Sequence, residues 1–247
     1  MKSLSASALA LAGLCAVSAQ AADVDVGVDF KSAYVATGAT CNDGWMAMPW
    51  LSASGFKMGD TELPVVFDFW GAMDLEKIDG DARSKRGRFE EIDLDVMLNL
   101  AKIAPIDENF SYSIGYLEYD YPAHDWNTDN LILFTAGYDC LLAPSFTAKY
   151  RVGGDHVGKF EGALAVSHGV TLDEDNGIGL DLSADIWYVD NEDGGENGLA
   201  CADFTASLSV QKAYVGVTYV ARIDDDVLTD DSYDTKWIAS CGISYGF

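Results

Sequence analysis

Charge and grease separate onto alternate residues along most of this chain. Val24, Val26, Val28 and Phe30 alternate with Asp25, Gly27, Asp29 and Lys31. Phe67 and Phe69 alternate with Asp68 and Trp70, and the phase continues to Asp74. Ile92, Leu94, Val96 and Leu98 alternate with Asp93, Asp95 and Met97. The same period returns at Phe146–Val152 against Lys149 and Arg151, and at Phe160–Val166 against Glu161. It returns again at 178–188 against Asp181 and Asp185, and at Trp237–Phe247 against Lys236. Successive side chains of a strand point to opposite faces, so a period of two marks a strand with one apolar face. No apolar phase contains a charge. About twelve such segments are present, two of them (45–56 and 131–141) with an ambiguous phase.

A soluble sandwich alternates too, with its apolar faces turned together, and it is the competing fold. Two features favour lipid. The polar phase is rich in Gly, Ser and Thr rather than in mixed Lys and Glu. Aromatics also gather near strand ends, at Phe30, Tyr34, Tyr116, Tyr119, Tyr188, Trp237, Tyr245 and Phe247, as interfacial girdles do. In lipid every backbone polar group must pair within the protein, which a closed barrel of even strand number achieves. The expected fold is therefore all-β, a transmembrane antiparallel up-and-down β-barrel of about 12 strands.

Residues 1–22 read as a secretory signal peptide: Lys2, an apolar run over 4–17, then Ala19-Gln20-Ala21 as a small-x-small cleavage pattern. Residues 23–247 form the expected single barrel domain. Hydrophobic residues are 49% of the chain, which excludes disorder, and a mean hydropathy of +0.04 is too low for a helical membrane protein. The net charge of −25 excludes a nucleic-acid partner, because phosphate needs a basic surface. Connections after odd strands are mostly the longer ones, as extracellular loops are, and they carry much of the charge. Asp190, Glu192, Asp193 and Glu196 lie in one, and Asp224, Asp225, Asp226, Asp230 and Asp231 in another.

No catalytic or metal motif is present, and no cofactor is expected. Ser167 and His168 are strand neighbours facing opposite ways, so they do not form a dyad. His124 beside Asp120 and Asp125, and His156 beside Asp155, are the only rim candidates for general-base chemistry or a shared metal. Cys41, Cys140, Cys201 and Cys241 allow three disulfide pairings. Cys41 with Cys201 is preferred, because both fall near the extracellular rim.

With the signal segment and the alternation, Ile243-x-Tyr245-x-Phe247 resembles the closing strand of bacterial outer-membrane β-barrel proteins. The resemblance implies that these three residues are an assembly signal read by the barrel-assembly machinery. Ser32-Ala33-Tyr34-Val35, Gly38, Asn42-Asp43-Gly44 and Pro49 resemble the opening strands of a family of porin-like proteins of unassigned substrate. Thr37 stands where those proteins often carry Arg. The implied setting is the outer membrane of a Gram-negative bacterium, against lipid and lipopolysaccharide.

The polar phase is then the lumen. It places Asp25, Asp29, Asp68, Asp74, Asp93, Asp95, Glu161, Asp181 and Asp185 against Lys31, Lys149, Arg151 and Lys236. Carboxylates lining a narrow pore attract cations. The expected function is passive diffusion of small hydrophilic, cationic solutes. A salt-bridged plug is the competing use of the same charges, since only about 16–18 strands reliably leave a wide channel. A structural or adhesive barrel working through acidic loops, and less favourably a barrel hydrolase, are the remaining alternatives.

Overall fold

A computed structural model describes residues 23–76, 86–124, 126–190 and 196–247. The expected signal segment and the middles of the 75–87 and 190–199 connections lie outside the described residues. Among the described residues sixteen strands follow one another, with one 3-10 turn at Leu100–Lys102. The first six are β1 (Asp23–Lys31), β2 (Tyr34–Ala36), β3 (Ala39–Asn42), β4 (Met46–Ser54), β5 (Lys57–Met58) and β6 (Thr61–Glu62). Next come β7 (Val65–Asp74), β8 (Phe89–Asn99), β9 (Phe110–Asp120), β10 (Asp129–Tyr138) and β11 (Ser145–Gly153). The last five are β12 (Phe160–Asp173), β13 (Ile178–Val189), β14 (Gly198–Val210), β15 (Ala213–Arg222) and β16 (Trp237–Gly246).

Twelve of these strands form one closed antiparallel barrel in the order β1-β16-β15-β14-β13-β12-β11-β10-β9-β8-β7-β4. Strand β1 closes it, pairing Val28 with Ile243 on one edge and with Pro49 on the other. The alternation decides the faces. Leu164, Phe204, Val215 and Trp237 point outward and are exposed, as apolar residues touching lipid would be. The two segments of ambiguous phase are apolar on both sides. On β10, Ile132 faces out, whereas Leu131 and Leu133 are buried inside.

Two hairpins fall where simple connections were expected, β5–β6 in the 57–62 turn and β2–β3 near the 37–44 loop. Strands β2 and β3 form a hairpin at one end of the barrel, turned by Thr37 and Gly38 with φ of 49° and 90°. Two left-handed residues in succession match a two-residue type I′ turn. The hairpin packs inward. Val35 and Ala39 join Val227, Leu228 and Tyr233 of the β15–β16 connection against Ala200, Cys201, Val220 and Ile238 of the wall. Two more apolar clusters lie inside the barrel, one of Met46, Met48 and Ala72 with Tyr34 and Trp70, the other of Met97, Leu117, Tyr119, Leu131 and Leu133.

Two of the expected girdle residues therefore face the other way. Tyr34 rides on the inserted hairpin, and its ring lies 5.6 Å from that of Trp70. Tyr119 belongs to the inward phase of β9. Period counting cannot detect either case, because aromatics suit both faces. The preferred Cys41–Cys201 disulfide is also absent: no disulfide joins Cys41, Cys140, Cys201 or Cys241 to one another. Cys201 is fully buried beneath the hairpin turn, while Cys41 is exposed further along β3.

A Cβ placed at Gly38 would come within 2.9 Å of both Cys201 and Leu228, in a backbone conformation that side chains resist. Gly38→Ala is expected to loosen the hairpin from its seat. The rate of Cys201 alkylation by a maleimide should then rise at least several-fold, with exposed Cys41 as the internal reference, read by peptide mass spectrometry.

Candidate lumen site

The inner face is mapped by side chains that reach over an intervening strand. Tyr214 on β15 donates to Asp29 on β1 at 2.8 Å, with β16 between them. Lys149 on β11 donates to the Tyr119 hydroxyl on β9 at 2.7 Å. Its ammonium also lies 5.5 Å from the Tyr119 ring and 5.6 Å from that of Trp187 on β13. Inward glycines make room for such leaning. The Trp50 ring lies where a Cβ on Gly27 would be, only 2.5 Å away, and Tyr214 similarly overlies Gly242.

The register sorts the inner face into two unlike halves. Across β12 to β16 it is small and polar: Ser167 faces Ser183, Ser183 faces Thr205, Thr205 faces Thr218. The next row reads Gly169, Asp181, Ser207, Gly216, Ser240 and Lys31. Ser167, Asp181 and Ser183 are exposed although they point inward, so this part of the lumen admits water. Across β4 to β11 the face is bulky and charged. One row runs Trp50, Trp70, Asp93, Tyr119, Asp129, and its neighbour runs Ser52, Asp68, Asp95, Leu117, Leu131, Arg151.

The expected lumen residues take distinct surroundings on this map. Asp25 sits at the short-turn mouth between Ser52 and Gly246. Asp74 is fully buried and accepts from the Asn42 amide at 2.6 Å. Glu161 accepts from Arg151 at 2.7 Å and lies 3.9 Å from Lys149. Lys236 is exposed at the long-loop rim, 5.4 Å from the Tyr233 ring. Asp68 stands opposite Asp95, and Asp185 stands opposite Asp203. Like charges directly opposed on neighbouring strands repel. The Oδ1 atoms of Asp93, Asp95, Asp185 and Asp203 are shielded from solvent and meet no hydrogen-bond donor among the described residues. Ile243, Tyr245 and Phe247 are exposed on the outer face.

Sequence reasoning missed four participants. Glu91 accepts from the Tyr34 hydroxyl at 2.9 Å, two residues before Asp93 on the same phase, so extending the alternation by one step finds it. Asp203 lies on the polar phase of β14 and was open to the same count. Asp129 was hidden by the unphased segment. It is the hub of the long-loop end: it pairs with Arg151, accepts from the Asp155 N–H at 3.1 Å and lies 3.3 Å from His156 Nδ1. Glu90 lies 2.8 Å from His124 Nε2, and the His124 ring stacks on Trp126 at 4.1 Å. The two rim histidines thus lie against different carboxylates, Glu90 and Asp129. His168 Nδ1 lies 2.8 Å from the Leu141 carbonyl.

This fold is similar to that of the NanC porin, with a TM-score of 0.50 at 9% identity over 90% of this chain and 98% of that one. It is also similar to an outer-membrane channel from Pseudomonas putida F1, at 0.49 and 10% over 92% and 95%. OmpF of Salmonella typhi, solved with daunomycin, gives 0.42 and 10% over 92% and 97%. No protein-family model and no curated protein matches the sequence. The chain is thus a closed up-and-down barrel of the kind found in bacterial outer-membrane porins and channels.

Two outcomes follow from the hub. Asp129→Ala leaves Arg151 buried without its closest carboxylate, a change that costs about 3 kcal/mol. It should lower the urea midpoint of the folded barrel, and Asp129→Ala combined with Arg151→Met should cost less than the two single effects together. Nearby, Asp155 accepts from the Asn127 amide side chain at 2.6 Å and from its N–H at 3.2 Å. The side-chain bond, first, and then the backbone bond hold its carboxyl below the ordinary value. A lowered pKa means this clip is present above the usual Asp range, about 3.9, and is lost only as pH falls below it. The protection factor of the Asn127 amide, the ratio of its intrinsic to its observed hydrogen-exchange rate, should hold at pH 5 and fall once the medium is more acidic than the ordinary Asp value, about 3.9.

Proposed function

We propose that this barrel is an outer-membrane channel through which small hydrophilic cations diffuse passively. The carrying observation is the set of four shielded, unpartnered carboxylate oxygens, which belong to two opposed acidic groups on the inner face. Each group lacks positive charge of its own strand pair and sits beside a lumen that water enters. A permeating cation relieves the repulsion, and chloride meets it unrelieved. The small-residue half over β12–β16 supplies the water path, and the acidic half over β7–β8 supplies the field. Asp181, Asp185 and Asp203 place acidic charge beside the path itself.

The outward aromatics of β16 fit an outer-membrane lipid surface and recognition by the barrel-assembly machinery. The acidic residues of the 223–232 connection fit divalent-cation bridging to lipopolysaccharide. One observation favours a second reading, a non-conducting barrel: the apolar packing of the β2–β3 hairpin and Leu228 over Cys201 narrows the long-loop end.

Planar bilayers holding the purified barrel decide between them. Discrete conductance steps are expected, with cations more permeant than chloride and a preference that weakens at high salt as charges are screened. Asp185→Asn with Asp203→Asn should reduce the cation-to-chloride permeability ratio by about twofold or more. Equal permeability in the unaltered protein would overturn the cation reading, and a complete lack of conductance would favour the closed barrel.

A further inference from the structure

The acidic group on β7 and β8 has a chemistry unlike that of the Asp185–Asp203 pair. Asp185 and Asp203 are followed along the inner face by Ser183, Thr205 and Thr218. By contrast, Asp93 lies directly between Trp70 and Tyr119, and Trp70 in turn lies beside Trp50. The ring of Tyr34 closes over Trp70 from the hairpin, and Met46, Met48 and Ala72 pack against the same pair of rings. Asp93 is partly buried, and its Oδ1 is shielded from solvent with no donor among the described residues; the Oδ1 of Asp95 shares that state. Asp68 faces Asp95 across the strand pair. Glu91 is already engaged by Tyr34.

We propose that Asp68, Asp93 and Asp95 with the rings of Trp70 and Trp50 form a binding site for an organic ammonium ion. This rests on the cation-channel reading and narrows it to a solute class. Hard metal ions take six or more oxygen ligands, and much of this wall is indole, thioether and methyl. An alkylammonium fits better. Its charged head takes hydrogen bonds from carboxylates and attraction from ring faces, and its hydrocarbon part covers apolar surface. The barrel already contains such an arrangement. The Lys149 ammonium is seated against the Tyr119 hydroxyl and the faces of Tyr119 and Trp187. That lysine lies 3.9 Å from Glu161 and is a single cation beside three further carboxylates, Asp68, Asp93 and Asp95.

Isothermal titration calorimetry of the full-length barrel in detergent tests this, with n-butylammonium, sodium and magnesium chlorides as probes. The expected result is saturable binding of n-butylammonium at least tenfold tighter than that of sodium or magnesium. Asp93→Asn and Asp95→Asn should each weaken it about tenfold or more, and Trp70→Leu several-fold, while Asp107→Asn on the exposed turn between β8 and β9 leaves it unchanged. Heat-modifiable migration on gels confirms that each variant is a folded barrel. Tighter binding of magnesium, abolished by Asp93→Asn, would overturn the proposal in favour of a metal site. So would a lack of n-butylammonium binding to a barrel that conducts cations in bilayers. Binding without conductance would instead uphold this site and overturn the channel reading.

Discussion

Everything in this molecule depends on β1 finding two partners. Its backbone groups pair with β16 on one side and β4 on the other, so no strand edge is left open. In a hydrocarbon setting an unpaired N–H or C=O costs several kcal/mol, and a sheet with edges is not an option. Closure then imposes the rest. A cylinder has one inside and one outside, so each strand must keep its alternation in phase with every other. The chain does so over twelve strands, and the bulges between Ala72 and Met73 and between Trp187 and Tyr188 lie towards the long-loop end of their strands.

How the interior is filled follows from the size of that cylinder. Eight strands are filled by their own side chains, and about sixteen leave a wide channel. Twelve lie between, and this chain uses the room unevenly. At the long-loop end it imports a hairpin and Leu228, which bury Cys201 and Val220 completely. At the short-turn end it lines the wall with serine, threonine and glycine. Charges are partly neutralised where they are most enclosed, as Arg151 does for Asp129 and Glu161.

The strands and their facing were legible in the sequence because period two is a local property with a strong contrast between Val or Phe and Asp. Legibility stopped where the contrast vanished. The segment Leu131–Ile132–Leu133 is apolar on both phases, so Asp129 and its ion pairs stayed hidden. Tyr34 looked like a girdle residue because its alternation continues that of β1. The backbone turns off the barrel wall between β1 and β2, and period counting has no signal for that. Cys41 and Cys201 share one end of the barrel, yet they point to different places, since Cys201 follows the inward phase of β14. Opposed acidic pairs such as Asp68–Asp95 are a matter of register, which a single strand does not disclose.

One consequence of the lining concerns orientation. Carboxylates stand on β7–β8 and again on β13–β14, and Lys149 with Arg151 stands on β11 between them. The potential inside the barrel therefore varies around its circumference, and a dipolar molecule placed there would turn sideways to the barrel axis.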